Sequence, residues 1–175
     1  MAGRNDNEKG SSVFMQPTGF TVVELAIALI TSAIVLIGIA IIVAGSYKYL
    51  RDGTARVQLQ QDYSFIEMLL STNLQQSTYD STEVYNSFAD FLTGQPPQSS
   101  GSCIKTAVPS QGWNVFYRDS LDFKLLTSDS SAATLVAGVV ANLSFVKQTN
   151  SVRTDLTLNR TGWSVGGSLV AAFRN

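Results

Sequence analysis

The sequence predicts an α+β fold in which a long amino-terminal helix packs on a carboxy-terminal antiparallel β-sheet. The helix is predicted by residues 20–46, an apolar stretch in which Glu24 is the only ionisable side chain. From residue 103 onward, apolar and polar residues alternate with a period of two between turn signals, which is typical of antiparallel strands. A chain of 175 residues has room for one modest domain besides a membrane segment.

The apolar stretch is long enough to cross a membrane. Residues 25–44 are 20 uncharged residues, and a helix of that length measures roughly 30 Å, the thickness of a bilayer's hydrocarbon core. Glu24 needs a separate explanation, because a carboxylate in hydrocarbon costs at least about 2.5 kcal/mol and such residues usually have a partner and a function.

Residues 19–25 read Gly-Phe-Thr-Val-Val-Glu-Leu. This segment resembles the processing site of the type IV pilin and type II secretion pseudopilin superfamily. The resemblance implies that a prepilin peptidase cuts after Gly19 and that the new amino terminus, Phe20, is N-methylated. It also implies that Glu24 pairs with the terminal amine of a neighbouring subunit in a filament.

Physical chemistry agrees with these roles. Glycine lets a protease approach the backbone closely, and a carboxylate can neutralise a buried amine where an unpaired charge would be costly. An uncleaved signal anchor and an ordinary secretory signal peptide are the alternatives. The apolar region of a signal peptide is only about 7 to 15 residues long and ends in a small-x-small site, whereas here the stretch is longer and Gly19 precedes it.

With the resemblance, the chain divides into four predicted segments. Residues 1–19 are a leader peptide, or residues 15–19 if Met15 is the true start. Residues 20–46 are the transmembrane and filament-core half of the helix, residues 47–77 its amphipathic half, and residues 78–175 the head, so that the whole has a pilin fold. We assign the leader to the cytoplasm and the head to the periplasm or exterior on the resemblance, because positive charges flank the span on both sides.

The amphipathic half is predicted from apolar residues that recur at spacings of three and four, the pattern of one buried helix face. They are Leu59, Tyr63, Ile66, Leu70 and Leu74. We expect one helix from Phe20 to about Gln76, softened at Gly38, Gly45 and Gly53. Many major pilins have a proline in the apolar half, where this chain has Ile41, and this difference favours a minor pilin or a pseudopilin.

In the head, Asp80 and Glu83 have the spacing of a capping pair for one short helix, in which Val84, Phe88, Phe91 and Leu92 form an apolar face. A ligand surface is the alternative for these aromatic residues. Residues 94–101 then form a loop. We expect a sheet of four to seven antiparallel strands, chosen from 103–108, 113–118, 121–126, 134–140, 143–148, 152–158 and 163–173. The residues expected to face inward are Leu143, Phe145, Val152, Leu156, Leu158, Leu169, Ala171 and Phe173.

Composition argues against an enzyme and against a nucleic-acid partner. Lys and Arg number 12 against 13 Asp and Glu, so no overall basic field is present. The chain has no His and one Cys, which removes His bases, Cys-rich metal clusters and the intrachain disulfide of many pilins. We expect Cys103 to be a small core residue rather than an intermolecular bridge, and we expect no cofactor.

A calcium site is the only metal site that the sequence suggests. Asp119, Asp122 and Asp129 lie close together in sequence, but they lack the ordered spacing and loop glycine of a calcium loop. We therefore interpret them as a solvated loop.

The sequence thus predicts a structural subunit, a minor type IV pilin-like protein whose partners are a prepilin peptidase, other pilins and the inner membrane. It would cross that membrane once before assembly and then lie in a pilus. A type II secretion pseudopilin is the alternative within the family. A membrane-anchored periplasmic binding module is the alternative of another class.

Overall fold

The structure is a computed structural model that describes residues 21–109 and 112–174. The chain divides into two compact units, of which the first ends at Tyr47 and the second comprises Lys48–Asn175. The predictions for the leader and for Gly19 and Phe20 lie outside the described residues.

One continuous helix, α1, runs over Val22–Gln76. The predicted long helix is therefore confirmed, and its carboxyl end falls at the predicted residue. Gly38, Gly45 and Gly53 lie inside the helix without interrupting it, as expected for residues that lower helix propensity by about 1 kcal/mol each but keep their N–H groups.

In the described part of the chain, nine strands and a second helix follow. Six strands lie close to predicted ranges, whereas Thr82–Tyr85 and Ser100–Gly101 are strands where the sequence predicts a short helix and a loop. In chain order the elements are β1 (Thr82–Tyr85), α2 (Phe88–Leu92), β2 (Ser100–Gly101), β3 (Cys103–Val108), β4 (Gly112–Asp119), β5 (Asp122–Thr127), β6 (Ala132–Val136), β7 (Val140–Lys147), β8 (Ser151–Arg160) and β9 (Trp163–Ala172).

The strands form two antiparallel sheets rather than the single sheet that the sequence predicts. One sheet has the order β1-β3-β4-β5-β6 and the other has the order β2-β7-β8-β9. The predicted strand 134–140 is confirmed only as far as Val136, where β6 ends. Beyond it, Gly138 has a left-handed backbone (φ 73°) and its N–H donates to Asp122 Oδ1 at 2.8 Å. Here the chain leaves the first sheet, and Val140 begins the second.

A single core joins helix α1 to both sheets. Leu59, Ile66, Leu70 and Leu74 are buried on the helix, while Tyr63 is partly buried. The predicted inward residues of β7 and β8 are also buried, as are Ala171 and Phe173, and Leu169 is partly buried. The predicted helix stripe and the inward faces are thus confirmed.

Gly167 in β9 shows how closely the helix approaches the second sheet. A Cβ atom at this position would lie 2.7 Å from Tyr63 Oη, which is shorter than any ordinary contact. Tyr63 can pack there because residue 167 has no side chain.

The predicted capping pair is wrong, although the short helix exists. Asp80 and Glu83 do not cap it, since Glu83 lies in β1 and forms an ion pair with Lys105 on β3 at 2.8 Å. The cap is Ser87, whose Oγ accepts from the backbone N–H of Asp90 at 3.2 Å. Asp80 and Glu83 are three residues apart, as are Ser87 and Asp90, so both pairs have the spacing of a capping pair. The β-branched and aromatic residues after Glu83, however, favour a strand.

A second, smaller core lies under helix α2. Tyr85, Cys103, Val115 and Tyr117 are buried there, and the rings of Phe88 and Tyr117 stack with centroids 3.7 Å apart. The interpretation of Cys103 as a core residue is confirmed. Phe88 and Phe91 also pack on this cluster, as predicted, whereas Leu92 is exposed.

The helix stripe yields a stability prediction. Ile66→Asp should destabilise the head by more than about 4 kcal/mol, because it buries an unpaired charge in the core. Met68→Asp, on an exposed position of the same helix, should change the stability by no more than about 0.5 kcal/mol. Thermal unfolding of the full chain in detergent, followed by near-ultraviolet circular dichroism, measures both. Equal effects of the two variants would contradict the observed packing of α1.

Cys103 yields a prediction about reactivity. Burial, with a smaller contribution from Asp90, raises the pKa of the Cys103 thiol to about 12, and the side chain is inaccessible. At pH 8 the native protein should therefore resist thiol reagents until denaturant unfolds it. An added exposed thiol in Thr134→Cys provides the control and should react at once. Rapid labelling of native wild-type protein, or a disulfide-linked dimer, would contradict the buried placement.

Candidate functional site

The apolar part of helix α1, Val22–Tyr47, exposes all of its large apolar side chains. Their exposed fractions run from 52% at Ile39 to 84% at Val22. A helix that is apolar on every side is stable only when something apolar surrounds it. This helix is long and apolar enough to cross a membrane, as an anchor or as a signal sequence near the amino terminus.

The threonine and serine hydroxyl groups within this segment are bonded to the helix itself. Thr31 Oγ1 donates to the Ile27 carbonyl at 2.8 Å, Ser32 Oγ donates to that of Leu29 at 2.9 Å, and Ser46 Oγ to that of Ile42 at 2.8 Å. Hydrocarbon offers no hydrogen-bond partners, so polar groups there must be satisfied within the protein. These three side chains meet that requirement without help from water.

Glu24 lies in the first turn of α1, where it forms a capping box with Thr21. The Thr21 N–H and hydroxyl donate to Glu24 Oε2 at 2.8 and 2.9 Å, and Thr21 Oγ1 accepts from the Glu24 N–H at 3.2 Å. Two backbone donors at the helix start are thereby satisfied reciprocally. The role of Thr21 is not among the predictions from the sequence, although the Thr-x-x-Glu spacing is a recognisable signal for it.

The capping box leaves one oxygen of the Glu24 carboxylate without a bond to Thr21 and able to bind another group. Both bonds from Thr21 end on Oε2, and the side chain is exposed. A carboxylate at a helix amino terminus is stabilised by the helix dipole by about 0.3 to 1 kcal/mol. The arrangement therefore offers a fixed, ionised acceptor that can bind a cation at the end of an apolar rod.

Of the three predicted site residues, the structure places one. Glu24 is described, whereas Gly19 and Phe20 are outside the described residues, so no geometry joins them to it. Their roles in cleavage and methylation stay predictions.

The aspartates suggested as calcium ligands have separate protein partners. Asp119 pairs with Lys124, while Asp122 accepts from the Gly138 N–H. A hydrogen bond from Thr127 lowers the pKa of Asp129 below its usual range. In residues 21–109 and 112–174, no group of three or more His, Cys, Asp or Glu side chains is placed to hold a metal ion.

Comparison with protein-family models, with curated proteins and with solved structures found no significant match. The fold is therefore described from its own geometry, as a long amino-terminal apolar helix on antiparallel sheets, which is compatible with a pilin-like fold.

Proposed function

We propose that this chain is a structural subunit without enzymatic activity, a minor type IV pilin-like protein. It is made as a precursor, processed after Gly19, and assembled into a pilus through its amino-terminal helix. Before assembly it is a single-pass inner-membrane protein with its head on the outer side.

One observation carries this proposal. Helix α1 exposes all the large apolar side chains of Val22–Tyr47, while the same helix buries a stripe of four residues in the core of the head. A signal sequence that is cleaved off need not be one helix with a segment in the core of the folded domain. A helix that serves first as a membrane anchor and then as part of a filament core has to stay joined to the head.

The position of Glu24 supports the assembly step. Cleavage after Gly19 would leave Thr21 and its capping box in the mature chain, so the carboxylate would keep its place at the start of the helix. A neighbouring subunit's methylated amine, brought against it in low dielectric, would then lie opposite an acceptor that is already oriented. This arrangement compensates two charges that would each be costly when buried alone.

The proposal yields a prediction about processing. Coexpression with a prepilin peptidase should yield a mature chain that begins at N-methylated Phe20, as measured by mass spectrometry. Gly19→Trp should block the cut, because a large side chain obstructs the approach of the protease. Gly45→Val is the matched control, since a Cβ at that position has no atom within 4 Å. An intact terminus at Met1 or Met15 in the wild type would refute the proposal.

A prediction about assembly separates the charge of Glu24 from its capping role. Glu24→Gln preserves the capping box, in which Gln replaces Glu readily, but removes the charge. Incorporation of processed subunits into filaments should fall steeply, since breaking a buried ion pair costs about 3 to 5 kcal/mol. The fraction of processed protein that sediments with sheared filaments measures this loss.

The control variant is Thr21→Val, which removes the cap and keeps the carboxylate. It should lower helix stability by about 1 kcal/mol and leave most of the incorporation intact. If Glu24→Gln subunits enter filaments as well as wild type does, or if Thr21→Val impairs entry equally, Glu24 acts as a local cap and not as an intersubunit partner.

A further inference from the structure

The second unit carries a group of basic and aromatic side chains where it begins. We call it the basic face and define it by Lys48, Tyr49, Arg51, Arg56 and Trp163. Four of these residues, with Asp52 and Gly53, line an open cavity of about 520 Å³. Arg51 lies beside it on the same helix and is 77% exposed.

The tip of the β8–β9 hairpin completes this face from a distant part of the chain. The Arg56 guanidinium lies 5.3 Å from the centre of the Trp163 ring, and Arg160 Nη1 donates to Gln58 Oε1 at 2.8 Å. These two contacts hold the hairpin tip on helix α1. They place an indole, 40% of it exposed, beside the cations of the helix.

The cations of the face lack full compensation by the protein. Three positive side chains and one carboxylate, Asp52, leave the face with a net charge of +2, and Arg160 next to it adds a further positive charge. Among the described residues, neither Lys48 nor Arg56 has a carboxylate within salt-bridge distance, and Arg51 reaches Asp52 only at 4.0 Å. A guanidinium stacked on a ring by its face keeps its N–H edge free for an oxyanion such as phosphate.

The basic face begins close in sequence to the apolar stretch that could cross a bilayer. Lys48 and Arg51 follow Ala44, the last residue of the uncharged apolar stretch, by only four and seven residues. Seven residues of helix extend about 10 Å, close to one Debye length at physiological salt. Exposed Tyr and Trp rings are typical of the headgroup layer, and each Lys or Arg close to an anionic membrane surface is attracted to it.

We propose that the basic face binds the headgroups of anionic phospholipids in the leaflet that faces the head. The guanidinium and ammonium groups bind the lipid phosphates, while Tyr49 and Trp163 lie among the headgroups. The proposal rests on the membrane anchor in the proposed function and not on filament assembly. It gives the unassembled subunit a docked orientation on the membrane.

The experiment uses Trp163 as the reporter. The chain has two tryptophans, so the full-length Trp113→Phe protein, reconstituted in vesicles, reports on Trp163 alone. Vesicles of phosphatidylcholine are compared with vesicles that also contain phosphatidylglycerol, each with the same fraction of brominated lipid as quencher. Quenching should be stronger in the anionic vesicles and should fall as salt is raised. Because both leaflets have one composition, the result does not depend on the direction of insertion.

Two double variants test which cations act. Lys48→Gln/Arg51→Gln spares the Arg56–Trp163 contact and should shift the docking equilibrium by roughly 25-fold, at about fivefold per cation. Arg118→Gln/Arg153→Gln removes the same charge elsewhere on the head and should leave quenching unchanged. Flotation of every variant with neutral vesicles reports on the membrane anchor separately.

Several outcomes would overturn the proposal. Equal quenching in neutral and anionic vesicles would show that charge does not contribute to docking. An equal loss of quenching in both double variants would show that the net charge of the head matters and not the position of these cations. If the protein floats with neither kind of vesicle, it has no membrane anchor, and the premise of the proposal is refuted. A chain that docks in this way but never enters filaments would refute the assembly function and leave the lipid site standing.

Discussion

The head depends on the burial of one stripe of helix α1. Leu59, Ile66, Leu70 and Leu74 enter a core that also contains residues of both sheets. Burial of such a side chain contributes roughly 1.5 to 3 kcal/mol, and each of these four is fully or almost fully buried. The two sheets have no strand in common. The packing of side chains, including those of the helix, holds them together, with a few hydrogen bonds such as that from Lys147 Nζ in β7 to the Thr82 carbonyl in β1 at 2.6 Å.

The same helix shows that composition alone does not decide burial. In the head, apolar residues recur at spacings of three and four and are buried, whereas Val22–Tyr47 is apolar on all sides and is exposed. An exposed apolar helix needs a surrounding apolar phase or other helices, and its threonine and serine hydroxyl groups are already bonded to its own carbonyls. This contrast links the fold to the proposed function. The carboxy-terminal half of α1 stabilises the head, whereas the apolar half is available for a membrane or a filament.

Charge is placed at both ends of the apolar segment, in different ways. At its start, Glu24 is held by Thr21 in a capping box, which orients the carboxylate before any partner arrives. After its end, the cations of the basic face are held beside Trp163 by a hairpin from the second sheet. We propose that Glu24 binds a neighbouring subunit and that the basic face binds lipid. One molecule would then have separate electrostatic contacts for the assembled and the unassembled state.

The sequence by itself determined the features that depend on local pattern. The apolar half of α1 follows from its length and lack of charge. The helix end at Gln76, the buried stripe and most strand ranges follow from periodicity. The Thr-x-x-Glu pattern is the signal of the capping box at Thr21. Only the tertiary structure decided which strands are neighbours, because alternation marks a buried face but not the sheet to which it belongs. It also showed that Ser87 caps α2 in place of the predicted pair Asp80 and Glu83, and it joined Arg160 to Gln58 across 102 residues. Contacts of this kind depend on how distant segments pack, and no local pattern encodes that.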